Sequence, residues 1–284
     1  GHGETTCRKD WHIFCNRMLD QGVTVGIISN FAKKFTAEEL HTLSRFANIE
    51  VSCDTADPDL FRRLRGGLEL NRMLEKMQLV RAEAQKENRK PPSFSWSCVL
   101  SDQNVFGLED YVKLGLQYGV EIFSFCNLVS FPGSPDFLPV KHLTELPDDK
   151  FCEALAIFRA VIAVLQKMGK GVCYPGGLIE KLVNRLNSVN SQNPLQNTLS
   201  SSDLLHTGET RNCADPWNMI YFHADGRVSP CCSYTPFGDL SKSGIEEIIN
   251  CEEMSNIRKG LLSGELHGDC INCEIAEWKK MGAE

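Results

Sequence analysis

Four cysteines near the C-terminal end of the chain have the types and spacing of metal ligands. Cys213 stands shortly before a Pro-Trp pair, Cys231 follows an Asp-Gly pair, and a Cys-Ile-Asn-Cys motif spans 270–273. Thiolates bind soft or borderline metals, and four sulfurs around one centre are typical of structural zinc or of an iron–sulfur cluster. We therefore predict that four thiols from this region share one metal centre.

The spacing of these cysteines favours iron–sulfur over zinc. Zinc ribbons usually supply two close CxxC pairs, whereas here Cys213 stands alone and only 270–273 is a CxxC pair. The alternative is a set of unligated cysteines that act as small apolar side chains. That alternative suits Cys98 and Cys126, which lie in apolar runs, better than it suits the CxxC pair.

The elements that must bring these thiols together are a hairpin and two helices. The Asp225-Gly226 pair predicts a β-hairpin whose second strand ends at Cys231. Ser243 is predicted to cap a helix over 244–249. A second helix is predicted over 252–264, where Gly264 lets the chain turn back toward the CxxC pair.

Composition excludes several classes of protein. The chain has 284 residues, of which 42% are hydrophobic and 24% charged, as in an ordinary globular protein. Its net charge of −7 and lack of a basic stripe argue against a nucleic-acid partner, and no apolar run reaches membrane-spanning length. With no export signal, the 13 cysteines are expected to be reduced thiols of a cytoplasmic protein rather than disulfides.

The N-terminal part alternates β-type and helical patterns. Apolar runs at 23–29, 49–53, 94–100 and 120–129 are typical of parallel strands that are covered on both faces. Helix starts lie between them, at the Thr36–Glu39 capping box and at Asp57-Pro58. This pattern predicts an α/β fold with a partial (β/α) barrel of parallel strands and a small C-terminal iron–sulfur-binding domain.

The chain opens without a strand. Residues 5–21 read as an amphipathic helix whose apolar face comprises Trp11, Phe14, Cys15 and Met18, and residues 1–4 read as the loop that leads into it. A βα loop with no preceding strand predicts a fragment or a chain that begins within a domain. A strong helix is expected over 148–170, and the predicted domains are 1–186, a polar linker at 187–212, and 213–284.

The C-terminal residues 213–273 resemble a SPASM-type domain of radical S-adenosylmethionine enzymes, on the motifs CADPW, DG, SPCC and CINC. The resemblance implies an auxiliary four-iron, four-sulfur cluster held by Cys213, Cys231, Cys270 and Cys273. Cys232 is an alternative to Cys231 at the end of the hairpin. No cysteines for a second cluster follow Cys273.

The N-terminal part resembles the barrel of the same family. Gly1-His2-Gly3-Glu4 is similar to its GGE motif, Ser29-Asn30 to its Thr-Asn, and Ser52-Cys53-Asp54 to its Ser-x-Asp. The resemblance implies that Gly1, Gly3, Glu4, Asn30, Ser52 and Asp54 contact S-adenosylmethionine. From the residues alone, Asp54 would instead cap a helix and Ser52 would end a strand.

One feature of the family is missing from this sequence, since the CxxxCxxC motif that binds the cofactor-cleaving cluster does not occur. The chain alone is therefore expected to be inactive. The resemblance implies an enzyme that forms a 5′-deoxyadenosyl radical to abstract hydrogen from a peptide or small-molecule substrate, with a reductant such as flavodoxin or ferredoxin. The alternative is a non-catalytic iron–sulfur or zinc-binding module. No HExxH or GxSxG motif supports a barrel hydrolase.

Overall fold

The computed structural model of the chain describes two compact units. The described residues are 4–128, 140–174, 176–190, 209–223, 225–271, 273, 276 and 278–281. The first unit, called the sheet unit, comprises residues 4–174 and 181–186. The second, called the C-terminal unit, contains the described residues from 187 onward and the start of one helix that precedes them. Gly1 and Gly3 lie outside the described residues.

The sheet unit is built on one parallel sheet of five strands. Each strand pairs with the next along the chain, so the spatial order is the sequence order. A doubly wound sheet would reverse its order at a switch point, whereas a (β/α) barrel adds every strand in the same direction. The α/β fold predicted from the sequence is confirmed. The strands are β1 Gly26–Ser29, β2 Asn48–Ser52, β3 Ser93–Val99, β4 Ile122–Cys126 and β5 Gly171–Cys173.

Helices connect the strands, and two of them start as predicted. Thr36 and Glu39 form a reciprocal capping box, and Asp57 accepts hydrogen bonds from two backbone amides with Pro58 in the first turn. The helices are α1 Trp11–Asp20, α2 Ala37–Ser44, α3 Pro58–Leu64, α4 Leu70–Lys86, α5 Leu108–Gln117, α6 Asp148–Lys167 and α7 Gly176–Asn190, with 3₁₀ turns at Thr5–Cys7, Val105–Gly107 and Leu143–Glu145.

Aromatic rings from alternating strand positions fill the core of the sheet unit. Trp96 of β3 lies 5.3 Å from Tyr111 of α5, measured between ring centroids. Phe125 of β4 meets Phe158 of α6 edge to face at 5.2 Å. All four rings are essentially buried, and such pairs contribute about 0.5–1.5 kcal/mol beyond their area. The sheet is therefore a rigid base for the loops at its carboxyl edge.

The first predicted helix is interrupted. Residues 5–7 form a 3₁₀ turn, and α1 begins only at Trp11. Trp11 and Cys15 are buried as expected, but Phe14 is 65% exposed, so the prediction for Phe14 was wrong. The reason is geometric, because the buried stripe of α1 follows the i, i+4 pair and Phe14 lies to one side of it.

Among its described residues, the C-terminal unit has two small antiparallel sheets and three helices besides its share of α7. One sheet pairs β6 with β10, and the other has the order β7-β8-β9. The strands are β6 Glu209–Arg211, β7 Tyr221–Phe222, β8 Arg227–Ser229, β9 Gly238–Asp239 and β10 Trp278–Lys280, and the helices are α8 Asp215–Asn218, α9 Ile245–Ile249 and α10 Glu252–Ser263, with a 3₁₀ turn at Gly268–Cys270.

Two predictions for this unit need correction. The predicted linker at 187–212 contains the end of α7 and all of β6, while 191–208 lies outside the described residues. β6 pairs with a strand far along the chain, a partner that local composition does not reveal. The residue that caps α9 is Gly244, not Ser243, and it makes no side-chain hydrogen bond. No helix in the described part of the chain is long and apolar enough to span a membrane.

Candidate metal centre

One cavity of the C-terminal unit is lined by all four cysteines predicted as ligands. Cys213, Cys231, Cys270 and Cys273 share this cavity with two charged residues, Arg211 and Asp215, and with small or apolar residues. All four thiols are half-buried and none forms a disulfide. Chain segments more than fifty residues apart therefore supply donors to one place. We call this place the cysteine cavity.

The first two cysteines are positioned by short backbone elements. Cys213 follows β6 directly, and its amide donates to the carbonyl of Arg211 at 2.9 Å. Cys231 follows β8, and the hydroxyl of Ser229 donates to the Cys231 carbonyl at 2.7 Å. Gly226 makes the hairpin turn with φ +85°, as its Asp-Gly sequence predicts. The structure has the predicted hairpin, but its second strand ends at Ser229 rather than at Cys231, and the next two residues bring Cys231 to the cavity.

The CxxC pair lies on a tight turn. The amide of Cys270 donates to the carbonyl of His267, and the amide of Ala276 donates to the sulfur of Cys273 at 3.5 Å. Gly268 has φ +53°, and a Cβ at this position would lie 2.1 Å from the hydroxyl of Tyr234. Only glycine satisfies both the conformation and the close approach. This glycine therefore fixes the path of the chain into Cys270.

An apolar cluster supports the cavity. Tyr234, Ile257 and Leu261 are buried together, and three of the cysteines pack against them. The hydroxyl of Tyr234 donates to Glu253 at 2.8 Å, which satisfies the one polar atom of the ring. Because α10 carries Ile257 and Leu261, this helix forms the support on which the thiols rest. One side of the cysteine cavity is therefore apolar.

Burial changes the acid–base behaviour of these thiols. Burial raises the pKa of Cys213, of Cys231 and of Cys270, the last to about 12. The pKa of Cys270 is raised further by negative charge on the other three cysteines, which shows how close they lie. Thiolates are the metal-binding form, so four of them need a cationic core to be stable here.

The sulfur–sulfur spacing that a single zinc ion requires differs from the spacing that a cluster requires. Four thiolates around one zinc at about 2.3 Å must lie about 3.8 Å from one another. In the described part of the chain, no three cysteine sulfurs lie within 4.8 Å of each other. A polynuclear iron–sulfur core binds each thiolate through a different iron, so it accommodates thiolate sulfurs that lie farther apart. The four-thiol donor set suits either centre, and the cysteine spacing in the sequence favours iron–sulfur.

Two further cysteines of the C-terminal unit lie elsewhere. Cys232 is exposed, does not line the cysteine cavity, and lies 3.8 Å from the hydroxyl of Ser233, measured from its sulfur. The structure thus brings Cys231, not Cys232, to the cavity. Cys251 accepts a hydrogen bond from the amide of Met254 at the start of α10. Its role as a helix cap is not visible in the sequence pattern.

At the carboxyl edge of the sheet, Glu4 is held by its own chain. Its carboxylate accepts hydrogen bonds from the hydroxyl of Ser29 and the amide of Asn30, both at 2.9 Å, and from Thr6. The Asn30 side chain accepts from the amide of Ala32 at 2.8 Å, and Asn30 also lines a small cavity. Glu4 therefore supports the turn after β1.

Asp54 is also engaged by the protein. Its carboxylate lies 2.6 Å from Nε of Arg65 and accepts a hydrogen bond from the amide of Val99. Burial raises the pKa of the Asp54 carboxyl more than the nearby Arg65 lowers it. Ser52 is the half-buried last residue of β2. The assignment of these positions to S-adenosylmethionine stays a prediction.

A third set of possible metal ligands lies on the surface of the sheet unit. One ligand atom each from His41, Glu83 and Glu87 lies within 4.8 Å of the others. Lys86 lies 3.1 Å from Glu83, and Arg89 lies 3.9 Å from Glu87. Lysine and arginine side chains already pair with these carboxylates, so this set is a weaker candidate for a metal site than the cysteine cavity.

Comparisons with known proteins agree with this geometry. Residues 213–274 match the family model of SPASM, an iron–sulfur cluster-binding domain. Among curated proteins nothing matches. Solved structures do match. SuiB of Streptococcus suis has a TM-score of 0.61 at 13% identity, covering 90% of this chain and 56% of SuiB. The enzyme anSMEcpe, with bound AdoMet and a peptide, has a TM-score of 0.55 at 16% identity, covering 97% of this chain and 73% of that chain.

These matches show the fold rather than the reaction, because the identities are low. The chain spans about half the length of SuiB. The SPASM domain predicted from the cysteine motifs is confirmed by the family model, and the α/β fold is confirmed by the solved structures. Residues 213–274 are a SPASM iron–sulfur cluster-binding domain, carried by a chain with the fold of SuiB and anSMEcpe.

Proposed function

We propose that this chain is part of a radical S-adenosylmethionine enzyme and that it binds one auxiliary four-iron, four-sulfur cluster. The ligands are Cys213, Cys231, Cys270 and Cys273. The observation that carries the proposal is the convergence of these four thiols on one cavity within a domain of the iron–sulfur type. Such a cluster supplies one-electron chemistry at a potential set by burial and hydrogen bonding.

The residues of the C-terminal unit have three tasks in this proposal. The four thiolates hold the metal. The glycine turn at Gly268 and the hairpin turn at Gly226 orient the loops that carry Cys270 and Cys231. The buried cluster around Tyr234 keeps water from one side of the site. In each task the protein binds or positions a group or excludes water, which is the usual contribution of a protein to cofactor chemistry.

S-adenosylmethionine belongs, in this proposal, at the carboxyl edge of the parallel sheet. Ligands of parallel α/β folds bind at that edge. Asn30 lines a cavity there together with Lys76 of α4, whose ammonium donates to the carbonyl oxygens of Phe31 and Ala32. In this proposal, Glu4 and Asp54 would hold in place the loops that approach the cofactor.

The substrate we propose is a peptide, from which hydrogen is abstracted. SuiB has been solved with its precursor peptide SuiA, and anSMEcpe has been solved with AdoMet and a peptide. A low-potential reductant of the flavodoxin or ferredoxin type would supply electrons, in the cytoplasm.

Anaerobic reconstitution with iron and sulfide tests the first part of the proposal. We expect about four irons and four sulfides per chain and a brown chromophore. Zinc in place of iron, or no metal, would contradict it. Equilibrium dialysis with labelled S-adenosylmethionine tests the second part on the same sample.

A non-catalytic iron–sulfur module is the second candidate. One observation favours it, namely the engagement of Glu4 and Asp54 by protein groups. Iron binding without any binding of S-adenosylmethionine would decide for this candidate. Binding of both would decide for the enzyme.

A further inference from the structure

Arg211 is the one charged side chain that lines the cysteine cavity with a buried donor to spare. It lies on β6, two residues before Cys213, and is only 8% exposed. Its Nε is buried and has no hydrogen-bond partner among the residues that the structure describes. An unpaired buried donor costs free energy, so a group that accepts from it is expected at this point.

The rest of the guanidinium is firmly held. Nη1 donates to the carbonyl of Ala276 and Nη2 to the carbonyl of Ile271, both at 3.1 Å. The guanidinium group of Arg211 lies over the ring of Trp278, with Cζ 3.8 Å from the ring centroid. Ile271 lies inside the CxxC motif, so Arg211 connects β6 to the loop that carries two of the cysteines.

The charge of Arg211 is close to those cysteines. Arg211 lines the same cavity as Cys270 and Cys273, and its Nη2 donates to the carbonyl of Ile271, which lies between them in the sequence. Arginine stays protonated in proteins, so a fixed cation stands beside the thiols. Hydrogen bonds and positive charge near a cluster favour its reduced, more negative form and so raise its reduction potential.

We propose that Arg211 is a positioning residue for the auxiliary cluster: its Nη atoms hold the CxxC loop, and its Nε donates a hydrogen bond to a cluster or thiolate sulfur, which raises the reduction potential. This inference rests on the proposed cluster ligands. It goes beyond them by assigning the residue that sets the potential of the site.

An EPR-monitored redox titration of the reconstituted 284-residue chain tests the proposal. We expect Arg211→Gln to lower the ratio of reduced to oxidised cluster at a fixed potential by about tenfold, which is a shift of about 59 mV for a one-electron couple. Arg211→Lys keeps the charge but not the planar donor, so a smaller shift in the same direction is expected.

Arg258 offers a matched control in the same unit. It also holds backbone carbonyls, those of Pro216 and Ile249, but it does not line the cysteine cavity. We expect Arg258→Gln to keep the wild-type potential. An equal shift in this variant would overturn the proposal, because it would trace the effect to general loosening of the unit.

The remaining outcomes separate the two claims. If the wild-type chain binds no iron, the proposed cluster is wrong and this inference falls with it. If iron binds and both Arg211 variants keep the wild-type potential, the inference alone is wrong. If both variants lose their iron while Arg258→Gln keeps it, Arg211 only supports the loop, and the assigned Nε hydrogen bond is wrong.

Discussion

The two units differ in whether their candidate ligand side chains are paired within the protein. At the carboxyl edge of the sheet, the carboxylates of Glu4 and Asp54 are satisfied by hydrogen bonds and an ion pair within the protein. In the C-terminal unit, four thiols line a cavity beside a buried donor of Arg211 that has no partner. Thiols that converge on one cavity beside an unpaired buried donor indicate a ligand, whereas carboxylates paired within the protein indicate support.

The largest effect is expected at the cysteine cavity. Replacing Cys270 by serine removes one thiolate from the proposed set, and we expect iron bound after reconstitution to fall to a small fraction of the wild-type amount. Colorimetric iron and sulfide analysis measures this. Cys232→Ser is the matched control, because this neighbouring thiol is exposed and lies off the cavity. Equal loss in both variants would contradict the ligand assignment.

Asp54 should show the second largest effect, on stability. Asp54→Ala leaves the partly buried Arg65 without its partner, and removing one member of a buried pair costs about 3 kcal/mol of unfolding free energy. Urea unfolding followed by circular dichroism measures the change. Asp225→Ala breaks an exposed pair with Arg227 and should leave the free energy of unfolding nearly unchanged. A similar small loss for Asp54→Ala would mean that Asp54 is free to contact a ligand.

Glu4 is the second carboxylate of the sheet unit that we expect to stabilise the fold. Glu4→Ala removes charge-assisted hydrogen bonds to the turn after β1, and we expect a loss of about 2 kcal/mol. Glu153→Ala, on an exposed face of α6, serves as the control because Glu153 pairs with the equally exposed Lys150. If Glu4→Ala leaves the urea midpoint unchanged, Glu4 does not support the fold and the division between the two units fails.

Two glycines test how the CxxC turn is made. Gly268 and Gly226 both have positive φ, but only at Gly268 would a Cβ collide, with the hydroxyl of Tyr234. Gly226→Ala should cost about 1 kcal/mol from backbone strain alone. Gly268→Ala should cost about 1–2 kcal/mol more and also lower the iron content. Equal behaviour of the two variants in thermal unfolding would show that the Tyr234 contact does not shape the turn.

Sequence alone predicted those features that local chemistry determines. The capping box at Thr36, the N-cap at Asp57 and the left-handed end of α10 at Gly264 follow from a few adjacent residues. The apolar runs predicted four strands with ends shifted by a few residues, while the short β5 was not expected. The motifs with fixed spacing identified the SPASM domain.

Features that depend on distant contacts were missed. Arg211 lay in a stretch interpreted as a polar linker, because its partners Trp278 and Ile271 are about sixty residues away in sequence. Phe14 fits an apolar helix face by spacing, yet the neighbouring elements cover only the side with Trp11 and Cys15. Local patterns identify elements and motifs, but they do not tell which polar groups will be satisfied by the protein.

The central claim is that Cys213, Cys231, Cys270 and Cys273 hold one polynuclear iron–sulfur core. X-ray absorption at the iron edge of the anaerobically purified chain tests it most directly. The account predicts sulfur neighbours at about 2.3 Å together with a shell of iron–iron scattering, and both lost in Cys270→Ser. Zinc in four-sulfur coordination, or iron with oxygen neighbours and no iron–iron shell, would contradict it.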